Sequence, residues 1–239
     1  MKIAVFSDIH GNLTGLQATL GDIRKHRPDV TICLGDLVGY GPFPNEVCET
    51  VQSLGIPVIQ GNYDQGVGEK IDDCGCAYKS EEEKALGKIS IQWTNEAINN
   101  VNRNFLKGLL PRHEITVDSF RMLFVHGSPR RINEYLFPDR PDKNLLHVMK
   151  EEEAKVLVCG HTHIPFFRMV EDTYFLNDGS CGRPKDGDWR AAWALISVEK
   201  QTIEAKICRV EYDLPSLEKS YQHSRLPFKY FEDLKQSSS

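Results

Sequence analysis

This 239-residue chain reads as an α/β protein with two packed β-sheets, each covered by helices. Three observations lead there. Short apolar runs end in polar loops and give way to helix-patterned segments, the repeated β-loop-α-β order of an open sheet. Strand-like runs outnumber what one sheet between two helix layers needs. With 40% hydrophobic and 26% charged residues, the composition suits a full globular core. No linker, low-complexity tract or repeat divides the chain, so residues 1–239 read as a single domain.

Lys2 to Ser7 is a short buried strand that polar residues stop abruptly. Leu13 to His26 has helical spacing of Leu13, Leu16, Leu20 and Ile23, and Pro28-Asp29 ends it. Val30 to Leu34 is a second buried strand, delivering Gly35-Asp36. Glu46 to Leu54 is a helix, and Pro57 to Gln60 is a strand ending in Gly61-Asn62. Polar loops thus follow each strand's carboxyl end, the edge at which open α/β sheets bind ligands. Ser80 to Asn100 is charged and helical, with Ser80 and Glu83 in capping-box spacing. Val101 to Leu110 continues as a helix until Pro111. Glu114 to Val117 and Phe120 to Val125 form a hairpin around Asp118-Ser119. Asn144 to Glu153 is a helix, and Val156 to Cys159 is a buried strand. Phe166 to Val170, Thr173 to Leu176, Ala191 to Val198 and Thr202 to Val210 read as antiparallel strands. Leu214 to His223 is a helix, and the polar tail from Gln236 to Ser239 is expected to fray.

A net charge of −5 gives no general polyanion-binding surface, and no basic groove or added nucleic-acid domain is visible. No stable nucleic-acid partner is therefore expected. Bound cations can still reverse the field locally and admit a phosphate. The apolar run from Ile3 to Phe6 is too short for a signal peptide, and no stretch approaches the roughly 20 apolar residues of a membrane span. Seven scattered cysteines, an odd number, fit reduced thiols, so a cytoplasmic protein without membrane contact is expected. Cys74 and Cys76 are the one close pair; lacking a second pair, they read as loop residues rather than a zinc site. An oligomer is compatible with the sequence, since strands that pair across subunits look like ordinary edge strands.

Five short segments carry the chemistry: Asp8-Ile9-His10, Gly35-Asp36, Gly61-Asn62, Val125-His126-Gly127 and Gly160-His161-Thr162-His163. They hold seven candidate metal ligands, including four of the eight histidines. Carboxylate, amide and imidazole donors suit two divalent cations, Mn²⁺ first, with Fe and Zn satisfying the same set. A paired-metal site of this kind serves hydrolysis of phosphate esters. A single histidine at a strand end is more often a structural hydrogen bonder; the five segments together outweigh that reading. Asp8 and Asp36 also have the alternative of capping helices, and Asn12 reads mainly as a cap, with substrate orientation as its second role. Tyr40, in a turn-rich loop, is either a surface ring or a wall for an aryl or nucleobase group. Arg130 and Arg131 suit phosphate oxygens, against the alternative of a plain surface pair. The runs Glu81 to Glu83 and Glu151 to Glu153 read as solvated helix faces, and His26, His113, His147 and His223 receive no role.

These motifs, D-x-H, G-D, G-N, H-G and G-H-T-H in this order over residues 1 to about 200, resemble the calcineurin-like metallophosphoesterase superfamily. Residues Gly35 to Pro42 and Asn177 to Ser180 resemble its small bacterial phosphodiesterase-like subgroup. The resemblance implies a four-layer α-β-β-α sandwich of two mixed β-sheets flanked by helices, with two metals at the carboxyl edge. It places Asp8, His10, Asp36 and His163 on one metal and Asp36, Asn62, His126 and His161 on the other, with Asp36 bridging. Asp36, Asn62 and His126 are then the catalytic core, and a hydroxide between the metals is the nucleophile on a small-molecule phosphoester. One departure stands out. Many members have histidine directly after the motif asparagine, and here Tyr63 takes that place, followed by Asp64. A tyrosine of ordinary pKa near 10 is a poor acid at neutral pH, so phosphodiesters with good leaving groups are favoured. The alternatives are a phosphomonoester or protein phosphatase and, from another class, a metal-binding interaction scaffold.

Overall fold

The computed structural model describes residues 1–78 and 80–236, and most of the tail expected to fray lies outside them. In chain order the first half holds β1 (Lys2–Phe6), α1 (Leu13–His26), β2 (Val30–Cys33), α2 (Pro44–Ser53), α3 (Asn62–Gly68), α4 (Glu81–Ala97) and α5 (Asn100–Lys107). The middle adds β3 (His113–Val117), β4 (Phe120–Phe124), α6 (Asp142–Val148), β5 (Val156–Cys159), β6 (Phe166–Val170) and β7 (Thr173–Asn177). β8 (Ala191–Glu199), β9 (Thr202–Val210), α7 (Leu214–His223) and α8 (Lys229–Gln236) follow.

One sheet has the order β2-β1-β8-β9 and the other β3-β4-β5-β7-β6. Both are mixed. β1 runs parallel to β2 and antiparallel to β8, while β5 runs parallel to both β4 and β7. Alternation along the strands builds the layers. Ile3 and Val5 of β1 face a core shared with Met122, Phe124, Val156 and Val158 of the second sheet. Ala4 and Phe6 face the opposite way, into a core with Leu16 and Leu20 of α1, Val47 of α2 and Leu217 of α7. Leu123 and Leu157 point away from the first sheet to meet Leu145 and Val148 of α6. Strands buried on both faces explain the unbroken apolar runs. The architecture is the expected sandwich of helices, two mixed sheets and a helix.

Four details differ from expectation. Pro57 to Gln60 is no full strand: Val58 bridges Cys33 and Ile59 bridges Leu110, each as an isolated pair. Its proline brings no donor to a ladder. β7 is not purely antiparallel, because it enters the second sheet parallel to β5. The helix expected over Asn144 to Glu153 starts at Asp142 and stops at Val148. Finally, α3 and α8 are additional helices. Two glycines break the apolar period of α3, and α8 is a short segment burying Tyr230, Phe231 and Leu234.

Candidate metal centre and active site

The carboxyl ends of β1, β2, β4 and β5 meet along one edge, and each leads into a loop bearing candidate ligands. Asp8, His10, Asp36, His161 and His163 have φ of 53°, 48°, 52°, 64° and 61°. Left-handed backbone at non-glycine residues costs on the order of 1–3 kcal/mol each and persists only where the surroundings over-determine it. Here backbone bonds hold it. Asp8 N–H donates to Gly35 O and His10 N–H to Asp36 O, both at 2.9 Å. The N–H of Asp36 donates to Asp64 Oδ2 at 2.8 Å, and that of His161 to Asp8 Oδ2 at 2.9 Å. Asp8 and Asp36 are therefore not helix caps. Asn12 caps α1 and Phe43 stands at the start of α2.

The side chains gather into two buried clusters, Asp8-His10-His163 and Asp36-His126-His161, the candidate ligand atoms of each lying within 4.8 Å of one another. Asp36 Oδ2 lies between them, 3.6 Å from His10 Nε2 and 3.5 Å from His126 Nε2. Asn62 joins the second cluster, its Oδ1 at 3.0 Å from His126 Nε2. Two signs show that the clusters fit cations. His10 Nε2 and His163 Nε2 face each other at 3.2 Å, an arrangement of two lone pairs that a cation relieves. Asp8 Oδ1 and His161 Nε2, one in each cluster, are buried with no hydrogen bond among the described residues.

The ring orientations are fixed from behind. Nδ1 of His10 meets Val38 O at 3.0 Å, that of His126 meets Leu34 O at 2.8 Å, and that of His163 meets Arg183 O at 2.5 Å. In the neutral rings of His10 and His163, donation from Nδ1 leaves the Nε2 lone pair facing inward, the tautomer a metal needs; His126, whose Nε2 faces Asn62 Oδ1, must give up its Nε2 proton to bind one. Burial pushes His10 and His161 down to about 3, and it also lowers His163, with the nearby Lys185 charge adding to the effect. These three rings are neutral at pH 7. Burial opposes charge on His126 as well, but Asp36 and Asp8 overcome it and raise His126 to about 10. Burial would raise Asp8 and Asp36 too; the histidine partners hold both below the usual carboxylate range.

The motifs alone did not reveal the residues that hold these ligands. Asp64 is wholly buried and accepts from the N–H groups of Asp36, Leu37 and Gly61 at 2.8, 2.8 and 3.0 Å. Ser7 Oγ bridges Asp8 Oδ2 at 2.6 Å and Asp178 Oδ1 at 2.9 Å. Asn62 Nδ2 donates to Cys74 O at 2.9 Å and Cys76 Sγ at 3.2 Å, which turns its Oδ1 toward His126. All seven cysteines are free thiols, and the loop pair Cys74 and Cys76 thus works through Asn62. The signals in the sequence were adjacency, Tyr63-Asp64 and Ser7-Asp8, and the Asn177 to Ser180 stretch that contains Asp178.

The candidate substrate residues fare differently. Asn12 Oδ1 accepts from Gly15 N and Thr14 Oγ1, and its Nδ2 donates to Gly182 O and Tyr212 Oη, so the side chain is fully engaged as a cap. Tyr40 is 8% exposed rather than a surface ring, and the Arg183 guanidinium covers its face at 4.0 Å. Tyr63 lies beneath the clusters, 1% exposed, with its ring edge-on to His10 at 5.3 Å. Arg130 is paired with Glu134, while the guanidinium of Arg131, also exposed, has no hydrogen bond or ion pair among the described residues.

Residues 1–201 match the calcineurin-like phosphoesterase superfamily domain. The chain belongs to that superfamily. An uncharacterized protein of Methanocaldococcus jannaschii, MJ0912, is 34% identical over 94% of this chain and 93% of its own length. Phosphodiesterase YfcE of Escherichia coli K12 is 23% identical, covering 87% of this chain and 97% of that protein. Among solved structures, a metallophosphoesterase from Sphaerobacter thermophilus superposes with a TM-score of 0.80 at 26% identity, covering 99% of this chain and 100% of that one. Protein PH1004 of Pyrococcus horikoshii OT3 shares the fold, with a TM-score of 0.84 at 24% identity and 98% and 97% coverage. Calcineurin-like phosphoesterases depend on divalent metals, and this chain has two buried clusters of residues able to hold such ions.

Proposed function

We propose that this calcineurin-like phosphoesterase is a dinuclear phosphodiesterase acting on a small organic or nucleotide diester. The observation that carries the proposal is the pair of adjoining clusters with Asp36 between them and an unpartnered ligand atom in each. Asp8, His10, Asp36 and His163 would hold one cation, and Asp36, Asn62, His126 and His161 the other. When bound, two such ions, Mn²⁺ first and Fe or Zn by the same donors, supply charge neutralisation and a water acidic enough to attack at neutral pH. The chain's own groups prepare the site. The backbone carbonyls behind His10, His126 and His163 fix their ring orientations, with Nε2 of each turned toward the clusters. Cys74 and Cys76 aim Asn62, while Ser7 and Asp64 hold Asp8 and the Asp36 loop.

Tyr63 supports a diester over a monoester. Burial pushes its phenol well above 10, and at 1% exposure it offers no acid to a departing alkoxide. A diester with a good leaving alcohol needs none. The likeness to a phosphodiesterase over nearly its whole length points the same way. Free thiols at all seven cysteines favour a reducing, cytoplasmic setting, and among the described residues no helix is long and apolar enough to cross a membrane.

The test uses metal-free protein reloaded with Mn²⁺, given bis(p-nitrophenyl) phosphate or p-nitrophenyl phosphate. The diester is expected to turn over well above the monoester, and Asp36→Asn to lose both. A dominant monoester rate would move the chain to the phosphatases. No turnover with two metals bound would make it a scaffold.

A further inference from the structure

A cavity of about 580 Å³ opens between the loop at residues 75–77 and the loop at residues 130–135, large enough for a nucleotide-sized group. It adjoins the metal clusters through one shared wall. Tyr135 lines the cavity, and its ring lies against His161 with centroids 4.1 Å apart. On the outward side Phe137 stacks on Tyr135 at 5.6 Å and 8°. Asn133 Nδ2 donates to Gly75 O at 2.8 Å and pins the two loops together. The walls are thus built rather than loose.

The charge in this cavity is unbalanced. Glu134 accepts from Ser128, Arg130 and Arg140. Burial would raise its carboxyl, but those three donors bring it down to about 2, so it is fully committed to them. Arg130 and Arg140 share that single carboxylate, so the three groups together keep a net charge of about +1. Arg131 lines the same cavity with no carboxylate or carbonyl on its guanidinium among the described residues. In a chain of net charge −5, a free guanidinium in a walled cavity beside a phosphoester site calls for an anion from outside.

We propose that this cavity is the subsite for one alcohol arm of the diester, and that Arg131 selects an arm bearing a second phosphate. The inference rests on the phosphodiesterase reading. Phosphorus at the clusters would send that arm past Tyr135 into the cavity, where Asn133 and Arg131 offer donors. The preferred substrates are then nucleotide-like diesters with a further phosphate, and simple aryl diesters use the site without that contact.

The test compares adenosine 5′-monophosphate with adenosine 3′,5′-bisphosphate as competitive inhibitors of bis(p-nitrophenyl) phosphate hydrolysis by the Mn²⁺-loaded full chain. Calorimetric titration of both compounds runs alongside. The second phosphate is expected to tighten binding by at least about tenfold, the gain of one charge-assisted contact. Arg131→Gln should bring the ratio close to one, and Arg131→Lys should keep part of it. Equal affinities in the wild-type protein, or a preference that survives Arg131→Gln, would overturn the subsite while normal diester hydrolysis left the activity standing. Failure of the wild-type protein to hydrolyse the diester would overturn the activity and, with it, the subsite.

Discussion

Ser7 has one hydroxyl proton and two carboxylate neighbours, Asp8 Oδ2 at 2.6 Å and Asp178 Oδ1 at 2.9 Å. Only one of those contacts can be its donation, so the other requires a proton on a carboxyl. Asp178 is the group that carries it. Asp178 is wholly buried, and burial together with the nearby Asp8 charge raises its carboxyl well above the ordinary value. The chain of donation therefore runs from Asp178 to Ser7 to Asp8. Asp178→Asn keeps a donor in the same shape and should retain metal affinity within about threefold, whereas Ser7→Ala should lose on the order of 10–100-fold, the usual effect of removing a ligand's supporting partner. Calorimetric Mn²⁺ titration separates these; equal losses in both variants would sink the assignment. Glu134 gives a second residue-scale expectation. Its folded carboxyl sits at about 2 against an ordinary 4.5, a depressed value, so its contribution to stability is present above pH 4.5 and is lost as pH falls toward 2. The difference in unfolding midpoint between wild type and Glu134→Gln should shrink over that window; a constant gap would exclude the linkage.

At the scale of elements, the strand-end loops are tight enough that glycine is required where two of them touch. Gly35 has φ +92°, and a Cβ there would lie 2.4 Å from Gly61 N. A Cβ on Gly61 would lie 2.1 Å from Asp36 Oδ1, the oxygen that Tyr63 N–H holds at 2.9 Å. Gly61→Ala must therefore push Asp36 aside. It should cost about 1–3 kcal/mol by overpacking and abolish metal binding, read by denaturant unfolding and metal content. Full metal occupancy in that variant would refute the contact. The same loops were the most legible part of the chain, because each is a short polar motif directly after an apolar run. The groups behind them were not. Ser7 and Asp178 are 171 positions apart, and no local pattern pairs them. Pairing also escaped the local pattern in β7, whose alternation fits either direction but which the sheet places parallel to β5. Asn62 to Gly68 hid its helix, since its stability comes from packing against α5 and from Asp64 closing onto Gly61 rather than from propensity.

In the whole molecule, neither cluster belongs to a single sheet. Asp8, His10 and Asp36 come from loops of the β2-β1-β8-β9 sheet, whereas His126, His161 and His163 follow strands of the other. Each cluster mixes the two, Asp8 and His10 with His163, and Asp36 with His126 and His161. A cation in either cluster therefore ties the sheets together at their carboxyl edge, where Asp8 and Asp36 otherwise bring buried negative charge close together. Metal that binds only the folded chain at a hundredfold excess over its dissociation constant adds about 2.7 kcal/mol, which for a chain of this size raises Tm by roughly 5–10 °C. Stripping the metals with a chelator should lower Tm by that amount and adding Mn²⁺ should restore it. The Asp36→Asn protein, lacking the carboxylate between the clusters, should respond far less. A wild-type Tm indifferent to chelation would mean that the apolar core between Ile3, Val5, Phe124 and Val158 holds the sheets unaided and that the clusters bind no cation tightly. A shift of equal size in both proteins would place the tightly bound metal away from Asp36.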